Sequence, residues 1–113
     1  MNLNIAISYG GRWDVVQAAK KIAIDFSKNK FSEKSISEKL FNSYLDTSLS
    51  PDPDLVIRTG NEFRLSNFLI WQAAYSELIF YRKFWPDFNT SDFRRALDNY
   101  KKRKRSFGKR PNK

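Results

Sequence analysis

Leu55-Val56-Ile57 is an unbroken apolar run, and Arg58, Thr59 and Gly60 follow it at once, with Arg64, Leu65 and Ser66 a few residues on. A short run of this kind, bounded by Pro53-Asp54 before it and polar residues after it, reads as a strand buried on both faces of a parallel sheet. That reading makes the chain an α/β protein. The guanidinium groups, hydroxyls and glycine then fall at the strand's carboxyl end, the edge where open α/β sheets place their ligands. Guanidinium forks match oxyanions in geometry and charge, which points to phosphate or diphosphate.

A strand that ends directly in arginine must pair that charge. Two readings of Arg58 stay open on the residues alone. One is an ion pair with Asp54, Glu62 or Glu77; the other is an anion site built from Arg58, Arg64 and Ser66 around Gly60. Glu77 poses the same question, because it opens the apolar run Leu78-Ile79-Phe80-Tyr81. A carboxylate there needs an arginine such as Arg58 or Arg64, a backbone donor, or a metal. Asp52-Pro53-Asp54 spaces two acids as a metal-binding pair would. The intervening proline and the lack of a second acidic cluster make it turn chemistry instead.

The rest of the chain falls into elements around that strand. Leu3, Ile5 and Ile7 alternate, and residues 3–9 are expected to form a strand. Tyr9-Gly10-Gly11-Arg12 is a turn. Its glycines serve either for their dihedral freedom, the preferred reading, or for a close backbone approach beside a site. From Trp13 to Phe26 the residues Trp13, Val16, Ala19, Ile22, Ala23 and Phe26 recur at helical spacing, which predicts an amphipathic helix with its aromatics in the core. Ser35-Ile36-Ser37-Glu38 has the form of a capping box and opens a shorter helix carrying Ile36, Leu40 and Tyr44. Strand, helix, helix and strand make a right-handed crossover unit. Asn67 to Ala74 is expected to be a helix almost wholly buried through Phe68, Leu69, Ile70 and Trp71. Leu78–Tyr81 is the next strand. A last helix, capped within Asn89-Thr90-Ser91, carries Phe93, Ala96, Leu97 and Tyr100. There are no internal repeats.

Composition narrows the class further. At 113 residues with 41% hydrophobic and 16% aromatic content the chain is globular rather than disordered. It has no cysteine, which fits a reducing compartment, and no apolar run approaches the ~20 residues of a membrane span. A cytoplasmic protein is expected, with peripheral contact at a membrane as a further expectation. Residues 94–113 hold ten Lys or Arg against Asp98 alone, which accounts for the whole net charge of +9. This basic tail could attract nucleic acid or anionic lipid. Tyr100 and Phe107 are too few to stack successive bases, and no recognition motif is present, so nucleic acid is not the expected partner.

Two stretches carry a family resemblance. Asn4-Ile5-Ala6-Ile7-Ser8-Tyr9-Gly10-Gly11-Arg12, together with the run from Asp54 through Arg64-Leu65-Ser66-Asn67 and Glu77 to Trp85-Pro86-Asp87-Phe88, resembles the carboxyl-terminal half of the cis-prenyltransferases, bacterial undecaprenyl diphosphate synthases among them. The resemblance covers residues 2 to about 108 and assigns residues 1–108 to that half-domain, with 109–113 a disordered basic tail. It implies a parallel sheet with helices on both faces, of which this chain holds the later strands. It implies a transferase of isoprenoid biosynthesis that condenses isopentenyl diphosphate onto an allylic diphosphate, and a homodimer. It also implies that Arg58, Arg64, Leu65 and Ser66 bind the diphosphate of isopentenyl diphosphate and that Glu77 is a ligand of Mg2+. The half with the phosphate loop and catalytic aspartate is absent, so no catalytic residue falls in this chain and it is expected to be inactive alone. Asn61 stands where the family usually has glycine, Phe63 where many members have histidine, and Ser106 where an arginine is expected. The competing readings are a non-catalytic partner subunit and a small basic nucleic-acid-binding module.

Overall fold

β1 (Leu55–Arg58) and β2 (Glu77–Phe80) lie side by side in parallel, with Leu55 opposite Glu77 and Arg58 opposite Phe80. The computed structural model describes residues 2–103. Within them these two strands form a two-stranded sheet, and three helices accompany it: α1 (Gly11–Ser27), α2 (Glu38–Asn42) and α3 (Thr90–Lys102). The architecture is α/β with parallel pairing, as the apolar runs predict. The chain divides into two units, one of Met1–Asp52 with Ser66–Trp71 and the other of Pro53–Leu65 with Gln72–Lys113.

In the second unit, β1 is half-buried at every position rather than buried on both faces, and Ile79 is the buried member of β2. Each strand has a single hydrogen-bonded neighbour here, which covers less of it than a place in mid-sheet would. The pairing continues past the strand ends: the Tyr81 amide donates to the Arg58 carbonyl at 2.8 Å and the Glu77 amide to Asp54 at 2.9 Å. After β2, Phe88 packs edge-on against Tyr81 and stacks on Trp85 with ring centroids 5.7 Å apart. Asp87 lies exposed in the 3₁₀ turn Trp85–Asp87. The acid that matters for the next helix is Asp92: the Asn89 side chain caps the helix start, and Asp92 returns the bond to the Asn89 amide. α3 buries Ala96 and half-buries Leu97 and Tyr100, whereas Phe93 stays exposed.

Four expectations need correction, three in the first unit and a fourth in a stretch that begins there and ends in the second. Residues 3–9 are not a strand, and Leu3, Ile5 and Ile7 are exposed. A strand requires a hydrogen-bonded neighbour, and among the described residues β1 and β2 pair only with each other. α1 forms as predicted but turns a different face inward, burying Gly11, Asp14 and Ala18 while Trp13 is 58% and Val16 50% exposed. Two small residues and a hydrogen-bonded carboxylate set that orientation: Asp14 accepts from the Tyr9 hydroxyl at 3.0 Å and from the Asp46 amide at 2.9 Å. α2 starts later than the capping box suggests. Ser37 is its cap, accepting from the Leu40 amide at 3.2 Å, while Ser35 closes a 3₁₀ turn.

The fourth correction concerns the stretch after Ser66. Residues 67–74 are turns, not a helix, and Phe68, Ile70 and Trp71 are exposed at the surface by more than a third. Ser66, Asn67 and Leu69 have φ of 48°, 65° and 46°. Left-handed residues cannot continue a right-handed helix. The helical apolar spacing was real, but the backbone serves another purpose.

Candidate diphosphate site

The loop that leaves β1 is built to present arginine. Gly60 and Asn61 both have positive φ, 92° and 59°. Glycine takes that conformation freely, and asparagine is one of the few other residues that does so routinely. Asn61 in place of the usual glycine therefore leaves the turn intact. The Gly60 amide donates to the Lys83 carbonyl at 2.7 Å and the Asn61 amide to Tyr81 at 3.1 Å, which ties the loop to the end of β2. Phe63 packs on Phe80 with centroids 5.8 Å apart. An aromatic ring at this position acts as an anchor for the loop.

These contacts bring the two arginines together. Arg58 Nη1 donates to the carbonyl of Arg64, and the Arg64 guanidinium pairs with the Glu62 carboxylate. The Arg64 side chain remains 66% exposed, so the part of its guanidinium that Glu62 does not engage is accessible to an incoming ligand. Glu62 thus balances Arg64 rather than Arg58. Leu65 is half-buried at the end of this unit. Ser66 belongs to the other unit, where its backbone is left-handed.

Glu77 is not part of this cluster. It sits level with Leu55 at the amino end of the strand pair, whereas Arg58 is level with Phe80 at the carboxyl end. Three residues of strand separate the two levels, roughly 10 Å. Glu77 accordingly pairs with neither Arg58 nor Arg64. Its partner is Arg103, whose Nη1 donates to Oε2 at 2.6 Å. Among the described residues no group of three or more acidic, histidine or cysteine side chains could hold a metal. Glu77 offers one carboxylate and no more.

Sequence reasoning missed three residues that organise these parts. Asp14 and Asn67 are buried or folded into backbone contacts that only the tertiary structure reveals. Arg103 looked like one more charge in a basic tail. The remaining tail, including Ser106, lies outside the described residues.

With this geometry in view, comparison with known proteins places the chain. The prenyltransferase family model (undecaprenyl diphosphate synthase) matches residues 1–108. The chain belongs to that family, the cis-prenyltransferases. An isoprenyl transferase of Thermotoga maritima is 52% identical over 108 residues, covering 96% of this chain and 46% of the relative. One of Chlorobaculum tepidum is 48% identical over 109 residues, covering 96% and 41%. Among solved structures, lavandulyl diphosphate synthase from Lavandula x intermedia in complex with dimethylallyl diphosphate matches with a TM-score of 0.88 at 42% identity, over 92% of this chain and 45% of that one. The chain spans less than half the length of these relatives.

Proposed function

We propose that this chain contributes the isopentenyl-diphosphate-binding part of a cis-prenyltransferase, which joins isopentenyl diphosphate to an allylic diphosphate to extend a polyprenyl diphosphate. The observation that carries the reading is the placement of Arg58, the last residue of β1, beside Arg64 on the loop that follows, linked through the Arg64 carbonyl. Two guanidinium groups six positions apart offer a diphosphate more than one bidentate contact, and the carboxyl end of such strands is where α/β sheets bind ligands. Leu65 and Ser66, next in the chain, are proposed as further contacts on sequence grounds. The related lavandulyl diphosphate synthase was solved with an allylic diphosphate bound, which supports a diphosphate substrate for this family member too.

The metal proposed is Mg2+, with Glu77 as its single carboxylate ligand from this chain. The donor is of the right chemistry, since magnesium takes one or two carboxylates and completes its shell with water and substrate phosphates. When bound, the ion would neutralise diphosphate charge. Arg103 holds Oε2 of Glu77, so the ion would be taken by Oε1 or would compete with that guanidinium. We further propose a homodimer in the cytoplasm that works at a membrane surface. Among the described residues no helix is long and apolar enough to cross a membrane.

The test has two arms. The 113-residue chain alone should incorporate no labelled isopentenyl diphosphate with magnesium and an allylic primer. Joined to the amino-terminal half found in its relatives, Arg58→Lys or Arg64→Lys should raise the KM for isopentenyl diphosphate about 5-fold or more, the effect of losing a charge-assisted bond worth ~1–3 kcal/mol. The KM for the allylic substrate should move much less. Unchanged constants together with a lowered melting temperature would make both arginines structural and end the assignment.

A further inference from the structure

The start of α1 lacks a cap of its own. Gly10 occupies the cap position and has no side chain to offer, yet the first amides of a helix need acceptors. They find them on Asn67, 56 and 55 positions later in the sequence. The Gly11 amide donates to the backbone carbonyl of Asn67 at 2.7 Å, and the Arg12 amide donates to Asn67 Oδ1 at 2.8 Å. A single residue outside the helix supplies both caps. The positive end of the helix is thereby engaged by a carboxamide and a carbonyl.

The same residue sits in a stretch of unusual backbone. Ser66 and Asn67 are consecutive left-handed residues, and Leu69 is a third. Non-glycine residues hold such angles only where their surroundings over-determine them, and they gather at functional positions. Here the surroundings are specific. A Cβ on Gly11 would lie 2.8 Å from Ile70 Cγ1 and 3.0 Å from the Asn67 carbonyl oxygen, so the stretch comes as close to α1 as glycine allows. Phe68 packs edge-on against Tyr9, and the Trp71 indole donates to Asn42 Oδ1 at 2.6 Å with its ring on Phe41. Of these fastenings, the one adjacent to Ser66 is Asn67.

We infer that Asn67 is a positioning residue: by capping α1 with both its carbonyl and its carboxamide, it fixes the left-handed backbone of Ser66 for contact with the substrate's diphosphate. This rests on the reading of Ser66 as a diphosphate residue. It also gives Gly10-Gly11 a role. Gly10 has an ordinary extended backbone with φ −139°, and Gly11 is helical. Neither glycine is there for dihedral freedom, contrary to the preferred expectation; they clear space for residues 67–70.

The experiment is an NMR comparison on the 113-residue chain, with inorganic diphosphate as the probe. Asn67→Gly keeps the freedom to be left-handed and removes the carboxamide, whereas Asn67→Asp keeps an acceptor that suits a helix amino terminus. In Asn67→Gly the Arg12 amide should exchange faster, the Ser66 Cα and Cβ shifts should move towards unfolded values, and diphosphate affinity should fall about 5- to 10-fold, the worth of a typical cap. β1 and β2 amides should stay protected. Asn67→Asp should restore all three readouts. Wild-type Ser66 shifts and affinity in Asn67→Gly would overturn the inference, as would an Asn67→Asp variant no better than glycine. If the wild-type chain binds no diphosphate while Ser66 still follows Asn67, the reading of Ser66 is what fails, and the role of Asn67 in substrate binding falls with it.

Discussion

Arg103, the residue that ends α3, donates from Nη1 to Glu77 Oε2 at 2.6 Å and reaches the Leu78 carbonyl at 3.4 Å. The pair spans 26 positions in sequence and pins the end of the last helix to the start of β2. Its side chains are 43% and 23% exposed. Solvent therefore screens it, and its worth to stability is about 1 kcal/mol or less. Its consequence for a metal is larger, because the guanidinium on Oε2 already neutralises the carboxylate charge that a divalent cation would be drawn to.

Arg103→Gln should therefore leave the fold intact and open Glu77 to divalent cations. With Mn2+ as a paramagnetic probe, amide signals of Glu77 to Ile79 should broaden at lower metal concentration in Arg103→Gln than in the wild type. In a Glu77→Gln variant the broadening should vanish. Equal broadening in wild type and Arg103→Gln would show that Arg103 does not guard the carboxylate.

Asp92 makes stability depend on acid. It is 1% exposed, accepts from Lys83 Nζ at 2.8 and 3.0 Å, and closes the capping box of α3 with the Asn89 amide. The Lys83 ammonium first, and the Asn89 amide second, hold its carboxyl below the ordinary aspartate range. A depressed folded pKa contributes stability that is complete above the unfolded value of about 3.9 and is lost as the pH falls below it. Asp25 acts in the same direction, lowered by Lys30 and then by the Tyr44 hydroxyl. Melting temperature should decline as the pH is taken from about 5 towards 3, the span around that value. Asp92→Asn should melt lower at neutral pH and show a shallower decline. A slope as steep as the wild type's would assign the acid sensitivity elsewhere.

The glycines separate by mechanism. Gly11→Ala places its methyl 3.0 Å from the Asn67 carbonyl and 3.1 Å from the Ile70 amide, both backbone atoms that cannot swing aside. It should cost ~1–3 kcal/mol, as overpacking does. At Gly10 the methyl would meet the Asn67 side-chain amide at 3.2 Å, a softer neighbour, so Gly10→Ala should cost less. Gly60→Ala meets nothing within 4 Å, and its penalty is the left-handed backbone alone, roughly 1–2 kcal/mol. Urea unfolding of the three variants checks the order; equal costs at Gly10 and Gly11 would contradict it.

The basic stretch from Arg94 to Lys113 should give only weak, sequence-independent attraction to DNA or RNA, and salt should abolish it, because counterion release is its sole source. Filter binding at low and physiological salt measures this. A sequence-specific complex that survives physiological salt would favour the nucleic-acid reading over the prenyltransferase one.

The residues by themselves determined what depends on short-range pattern. Leu55-Val56-Ile57 and Leu78-Ile79-Phe80 had to be strands, and the spacing from Trp13 to Phe26 had to be a helix. Asn89 had to cap one, since its side chain reaches amides two and three residues away. The placement of Arg58 at the end of a strand and Arg64 on the loop after it was legible for the same reason. They are six positions apart, with Gly60 and Asn61 between them to turn the chain. Motif length also sufficed to reveal the family.

Tertiary structure decided whatever depends on partners distant in sequence. Periodicity shows that α1 has an apolar stripe, but close approach and the Asp14 hydrogen bonds chose the face it buries. The residues after Ser66 have a helical spacing of apolar side chains, yet the unsatisfied amides of α1 take Asn67 as their cap and leave the backbone left-handed. Residues 3–9 alternate like a strand and have no neighbour to pair with among the described residues. Glu77 needed a cation, and three arginines could have met the need. Parallel register put Arg58 at the far end of the strands, and α3 delivered Arg103 to the near one. A charge announces that it must be paired; only the path of the chain determines with what.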